Sequence, residues 1–319
     1  MSFPGRFADQ LIADQLHTVS LSFLVDELIV RRGGVGANIA YGLAQLGLRP
    51  TLVGAVGADF ADYRSWLERH DVDCSSVLVS EQAQTARFIC TTDQDLCQIA
   101  TFYAGAMTEA VDIDLAAVPA AGEIPDLVVI APDVPGAMLR HAAACRHAGW
   151  AFAADPSQQL ARMSAADIAE FITGARYLLT NEYEYGLLCS KLGASDAHVR
   201  AMVGVVVTTC GAAGVRVRTA DRAADVPAVP LATVVDPTGG GDAFRAGFIA
   251  AVARGLSDET AAAVGCQLAG YAIQQAGGQG YEVRHPDLLA DLEANYGGET
   301  AAAVREALQP AVVVTGSPA

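Results

Sequence analysis

Four short apolar runs, at residues 126–131, 151–154, 177–180 and 203–208, are separated by stretches of helical character at 135–147, 165–173 and 182–192. Apolar runs this short, alternating with helices, fit strands buried on both faces of a parallel sheet and joined by crossover helices. The rhythm begins earlier. Residues 20–30 form an extended apolar run that reads as a strand, and Gly33-Gly34-Val35-Gly36 breaks it. Ile39, Leu43 and Leu46 then recur at i, i+4 and i+7 with Gly47 as a stop, followed by an apolar run at 51–56 and a helix over 63–70. Helices are expected over most of 243–275, and a last helix with a frayed tail over 300–319. With 319 residues, 52% of them hydrophobic, the chain can bury the core of one large α/β domain with a small accessory domain.

Between residues 74 and 105 the alternation stops. Residues 77–79, 85–92 and 98–103 are β-branched and aromatic, with polar turns such as Asp93-Gln94-Asp95 and no helix between them. They read as consecutive antiparallel strands, a small β subdomain inserted in an α/β chain.

Composition excludes several classes. The 20 Lys and Arg against 36 Asp and Glu give a formal charge of −16 with no basic run, which argues against nucleic acid as a partner. Seven cysteines at irregular spacing, with no Cys-x-x-Cys, argue against a disulfide framework or a zinc site. No run reaches 18 apolar residues and the N-terminus has no signal-peptide core, so the expectation is a cytoplasmic protein with no membrane contact.

The most informative segment runs from Val235 to Phe248. Pro237 sets the entry, Gly239, Gly240 and Gly241 permit a turn with positive φ, and a helix follows with Phe244, Phe248 and Val252 at i, i+4 and i+8. The free N–H groups and positive end of such a helix bind anions. Asp242 has two readings. As an N-terminal helix carboxylate it stabilises that end, and beside an anion hole it can accept the proton of an attacking alcohol. There is no Gly-x4-Gly-Lys-Ser/Thr, so this is not a P-loop, and Ile39 breaks the dinucleotide fingerprint after Gly34.

Residues 236–244, Asp-Pro-Thr-Gly-Gly-Gly-Asp-Ala-Phe, resemble the C-terminal signature of the ribokinase-like (PfkB) carbohydrate and nucleoside kinases. Residues 33–38 and 53–59 resemble the N-terminal signature, and the two lie some 200 residues apart in the expected order. Residues 3–7, 20–25, 57–63 and 155–160 resemble, more narrowly, the adenosine kinases of actinobacteria. The resemblance implies a three-layer α/β/α core over 33–73 and 106–298, a discontinuous β-sheet lid over 1–32 and 74–105, and a C-terminal helix and tail over 299–319. It implies ATP-dependent phosphorylation of adenosine at the ribose 5′-hydroxyl to give AMP, a purine-salvage reaction. Asp242 would be the base, and Gly239, Gly240 and Gly241 the anion hole.

The same resemblance places Gly34 and Asn38 at the ribose hydroxyls; a local helix-start bond would also explain Asn38. Phe88 and Phe102 flank the adenine, or else pack the lid. Ser22, Gln158 and Gln159 add polar contacts, although Gln158 and Gln159 also fit a solvated turn. On the nucleotide side, Asn181 with Thr208, Thr209, Gly211 and Gly214 would hold ATP, and Glu184 would hold Mg²⁺ through its waters; Asn181 and Glu184 equally fit a helix cap. Arg245 is expected to face solvent, with a phosphate contact as the other reading. A homodimer through the lids is implied, and a monovalent cation near the anion hole is left undecided.

Two departures stand out. Members of the family carry a central apolar strand and a sugar-binding Asp before the residue matching Phe3, a pattern of roughly 15 residues with no counterpart here. The expectation is two exposed sheet edges and the loss of a charge-assisted bond of about 1.5–3 kcal/mol, through a start codon further upstream or an impaired chain. Gly240 replaces a usual Ala, which should be tolerated. Three outcomes stay open: an active adenosine kinase, a kinase for another sugar or nucleoside, and a nucleoside-binding protein with little catalysis.

Overall fold

The computed structural model describes residues 1–10, 18, 20–95, 97–119 and 123–308. After Gly34 (φ 98°) helix α1 covers Val35–Gln45. Strand β1 (Gly54–Gly57), helix α2 (Ala61–Arg69) and strand β2 (Val77–Ser80) follow as a βαβ unit, then β3 (Arg87–Thr92) and β4 (Gln98–Tyr103). The chain next alternates through β5 (Val128–Ile130), α3 (Pro135–Ala148), β6 (Phe152–Ala154), α4 (Ala165–Ile172) and β7 (Tyr177–Asn181). Helices α5 (Glu182–Leu192) and α6 (Asp196–Met202) lead to β8 (Val205–Thr209), β9 (Val215–Arg218) and β10 (Ala223–Val226). It ends in α7 (Gly240–Ala253), α8 (Asp258–Ile273), α9 (His285–Tyr296) and α10 (Gly298–Leu308). The tail expected beyond 308 lies outside the described residues.

The larger sheet has six strands in the order β10-β9-β8-β7-β6-β5. Strands β5 to β8 are parallel, as the helical crossovers between them require, while β9 runs antiparallel to both of its neighbours, β8 and β10. The sheet is therefore mixed where an all-parallel one was expected. Only a short turn separates β8 from β9, too little chain to return to the starting edge.

Alternation along the strands builds three layers. Ala153, Tyr177, Leu179 and Val207 point to one face, where Phe244 and Phe248 of α7 and Leu268 of α8 pack with Ile39 of α1. Phe152, Ala154, Leu178 and Val206 point to the other, against Met138 of α3, Ile168 and Phe171 of α4 and Leu188 of α5. Each fully buried Val, Leu, Ile, Phe or Met side chain among them contributes about 1.5–3 kcal/mol. This is the three-layer α/β/α arrangement that the resemblance implies.

Two further expectations are corrected. The 77–80 strand is not part of an antiparallel series. It pairs in parallel with β1, because α2 carries the chain back to the starting end, and only β3 and β4 form the antiparallel hairpin. Residues 20–30 form no strand; their one ladder contact is an isolated bridge between Glu27 and Ser2. Leu24 is 85% and Val30 86% exposed, so this run has no buried face to hold an extended register. It is tied instead by Phe23, whose ring lies 4.9 Å from both Phe3 and Phe7, while Phe3 N–H donates to Thr92 O of β3 at 2.9 Å. The N-terminal residues thus lie against the hairpin.

Strands β1 and β2 form a separate two-stranded sheet, so β1 and β5 are both sheet ends. Helix α1 runs beside both: a Cβ on Gly36 would lie 3.8 Å from Leu52 Cδ1 and 3.9 Å from Ala131 Cβ. Among the described residues no helix is long and apolar enough to cross a membrane.

Candidate active site

The Gly239–Gly241 turn opens α7, which is buried from Ala243 to Ala251. Gly239 takes φ 81°, and a Cβ there would come within 2.5 Å of Gly278 Cα, so both backbone shape and close approach require glycine. Gly240 N–H is used internally, donating to Pro237 O at 3.3 Å. The N–H groups of Gly239, Gly241 and Asp242 have no hydrogen-bond partner among the described residues. They form a small nest at the positive end of a 14-residue helix. The Gly240 departure has a local cause: Ile273 Cγ2 occupies the space, 2.6 Å from where an alanine Cβ would sit.

Asp242 stands beside this nest. Its Oδ2 accepts from Asn38 Nδ2 at 2.9 Å, which brings the starts of α1 and α7 together across 204 residues of sequence. Burial pushes the carboxyl above the ordinary carboxylate range, against the opposing pull of Arg245 and the Asn38 bond. A half-buried carboxylate held near a cluster of free N–H groups can take a proton from a hydroxyl while those N–H groups hold an anion. Gly278 makes room for this arrangement, since a Cβ there would come within 2.8 Å of Asn38 Nδ2.

Arg245 does not face solvent. It is buried, with Nη2 donating to Asp155 Oδ1 at 2.8 Å and Nε 2.7 Å from Oδ2, and its Nη1 is 3.9 Å from Asp242 Oδ1. One helical turn past Asp242 on α7 points inward, which the helix period alone does not reveal without the register of the core. Asp155, fully buried at the end of β6, is pushed up by its burial while Arg245 opposes that shift. Gln159 is buried as well, with an Oε1 that has no partner among the described residues, so it is no solvated turn residue. Gln158 is exposed.

On the neighbouring strand ends, Asn181 and Glu184 cap α5 reciprocally: Glu184 N–H donates to Asn181 Oδ1 and Asn181 N–H to Glu184 Oε2, both at 2.8 Å. The other oxygen, Oε1, accepts from Ser157 Oγ at 3.3 Å. Asn181 and Thr209 are register partners across β7 and β8, and Thr208 is buried against Thr180. Space is open in front of Gly211, but Gly214 is required by its own fold, since a Cβ there would come within 2.1 Å of Val226 O. No cluster of three His, Cys, Asp or Glu side chains suited to a metal occurs among the described residues.

Phe88 and Phe102 are direct cross-strand partners on the hairpin and are 69% and 54% exposed, two apolar faces on one side with no core above them. Ser22 is exposed in the irregular N-terminal segment. Gly34 has open space in front of its missing Cβ and accepts from Asn38 N–H at 2.8 Å.

Comparison with known proteins gives a consistent set of likenesses. The family description "pfkB family carbohydrate kinase" matches residues 5–283. A nucleoside kinase of Methanothermobacter thermautotrophicus is 34% identical over 251 residues, 77% of this chain and 80% of that protein. The structure of Burkholderia thailandensis nucleoside kinase in complex with inosine superposes with a TM-score of 0.82 at 31% identity, covering 93% of this chain and 94% of that one. The same enzyme in complex with ADP-inosine gives a TM-score of 0.80 at 32% identity, over 93% and 92% of the two chains.

Proposed function

The chain belongs to the pfkB family of carbohydrate kinases, and from that premise we propose that it transfers the γ-phosphoryl group of ATP to the 5′-hydroxyl of a nucleoside, adenosine above all, giving AMP and ADP. The observation that most supports this reading is the pairing of the half-buried Asp242 carboxylate with the unpartnered N–H groups of Gly239 and Gly241. In-line phosphoryl transfer needs little more than positioning and charge stabilisation. Asp242 takes the hydroxyl proton as the oxygen attacks, and the nest holds the transferred group's oxygens. Asn38 and Gly34 line the sugar side, and Thr208, Thr209, Gly211 and Asn181 the nucleotide side.

Mg²⁺ suits this site in one form. Glu184 offers a single carboxylate, already engaged by Asn181 and Ser157. That matches an ion that keeps most of its water and is held at one remove. When bound with ATP, the ion neutralises phosphate charge. The 87–103 hairpin and the N-terminal residues act as a lid over the nucleoside.

Adenosine rests on the segments around Ser22, Phe60 and Gln159. The inosine held by the Burkholderia thailandensis enzyme favours a wider purine range as a second reading. A panel of adenosine, inosine, guanosine, ribose and fructose 6-phosphate, assayed for ADP release, tests both. Highest kcat/KM on adenosine supports the first reading, comparable values for inosine and guanosine support the second, and turnover of the sugars alone defeats both.

Phe88 and Phe102 stack on the base. Phe102→Ala should raise KM for adenosine roughly tenfold, the order of one lost base–aromatic stack, and leave KM for ATP in place. An unchanged KM for adenosine removes Phe102 from the base site.

The exposed apolar residues Ile89 and Ile99, on the hairpin face opposite Phe88 and Phe102, together with Leu24 and Leu28, support pairing of two lids in a homodimer. Sedimentation at micromolar concentration should give the mass of a dimer, and Ile99→Lys should return the monomer. A wild-type monomer under the same conditions refutes the pairing.

A further inference from the structure

A chain of hydrogen bonds leads from the surface of α2 to Asp242, and its direction is set at one end. Trp66 Nε1 donates to Gln279 Oε1 at 3.1 Å. The indole N–H can only donate, so the oxygen of the Gln279 amide must face it. The Gln279 nitrogen then donates to Asn38 Oδ1 at 2.9 Å and to Tyr63 Oη, whose hydroxyl donates onward to Gly33 O at 3.0 Å. With its oxygen so occupied, Asn38 presents its Nδ2 to Asp242 at 2.9 Å. Every donor meets an acceptor, and reversing either amide would set donor against donor or acceptor against acceptor.

We infer that Gln279, fixed by Trp66, is a positioning residue for the transfer step: it orients the Asn38 amide so that an N–H, and not the carbonyl oxygen, faces the carboxylate of the base. This rests on the proposed role of Asp242. The Gly277-Gly278-Gln279-Gly280 loop supports it sterically, because Gly278 leaves the space that Asn38 fills. Arg245, Asp155, Glu184, Tyr63 and Tyr281 are the other ionisable groups around Asp242; of these only Tyr63 touches Gln279, whose amide donates to its hydroxyl.

The logic separates two substitutions that size alone would rank the other way. Gln279→Ala frees the Asn38 amide. Gln279→Glu keeps the shape but is acceptor-only, so Asn38 must turn its nitrogen to the new carboxylate and its oxygen to Asp242. Gln279→Ala should lower kcat roughly tenfold and Gln279→Glu on the order of a hundredfold, with KM for ATP unchanged in both. In an Asn38→Ala background the two should be equal. Carbon-13 titration of the Asp242 carboxyl reads the same order without turnover, with the carboxyl titrating higher in the Glu variant than in the Ala variant. A kcat for Glu equal to or above that for Ala, or an order that persists without Asn38, overturns the inference. So does an Asp242 titration equal in both variants. Asp242→Asn serves as the separate control: full activity in that variant defeats the base reading itself. Should Gln279→Glu fail to fold, Trp66→Phe carries the test, with kcat expected to fall roughly threefold and an unchanged kcat counting against the inference.

Discussion

Asp242→Asn should lower kcat by roughly 10²–10⁴-fold, the range for loss of a general base, with little change in KM for either substrate. The substitution keeps shape and retains an oxygen to accept from Asn38 Nδ2, so binding geometry survives while the proton acceptor is lost. The pH profile gives a second reading. A base works only when deprotonated, and burial raises the Asp242 carboxyl above its ordinary value. The acid limb of kcat/KM should therefore lie above the ordinary Asp pKa of about 3.9, with activity falling as pH drops through the raised value. Stability moves the opposite way. For a carboxyl whose folded pKa is raised, the charged form is penalised in the native state at every pH above that value, and the penalty disappears below the unfolded pKa. Asp242→Asn removes the penalty, so Tm at neutral pH should rise as activity collapses. A drop in both would instead mark Asp242 as a structural cap.

The structure shows which kinds of feature can be read from sequence. The strands at 128–130, 152–154, 177–181 and 205–209 lie within or next to the predicted runs, because a strand buried on both faces must be apolar throughout and short. The glycine turn before α7 was legible because positive φ and close backbone approach leave few residue choices. The 20–30 segment misled for a related reason: an apolar run carries no mark of whether a partner exists, and most of this one lies exposed. The 77–80 strand looked like part of the hairpin series because residue type does not encode strand direction; the crossover through α2 decides it. Gln279 and Trp66 gave no signal at all. Each is an ordinary polar or aromatic residue, and their importance lies in a contact spanning 213 positions. Arg245 was misplaced because its side of α7 depends on where the sheet lies.

Arg245→Met should destabilise the fold by about 3–5 kcal/mol, the usual result of removing one partner of a buried ion pair. Methionine approximates the length of the arginine stem, so packing changes little. What remains is a carboxylate at Asp155 that is fully buried and loses the guanidinium 2.7–2.8 Å away. Denaturant unfolding of the single variant and of Asp155→Leu/Arg245→Met separates charge from packing. The double variant should recover most of the loss, because two apolar side chains replace two buried charges. Failure to recover would mean that the arginine stem, not its charge, holds α7 against β6. Activity should not recover with stability. Arg245 is the group that most opposes the upward shift of Asp242, and the double variant lacks it too. The acid limb of kcat/KM should accordingly move to higher pH in both variants. One arginine would then serve two separable purposes, holding a buried carboxylate in the core and opposing the upward shift of its neighbour on the same helix.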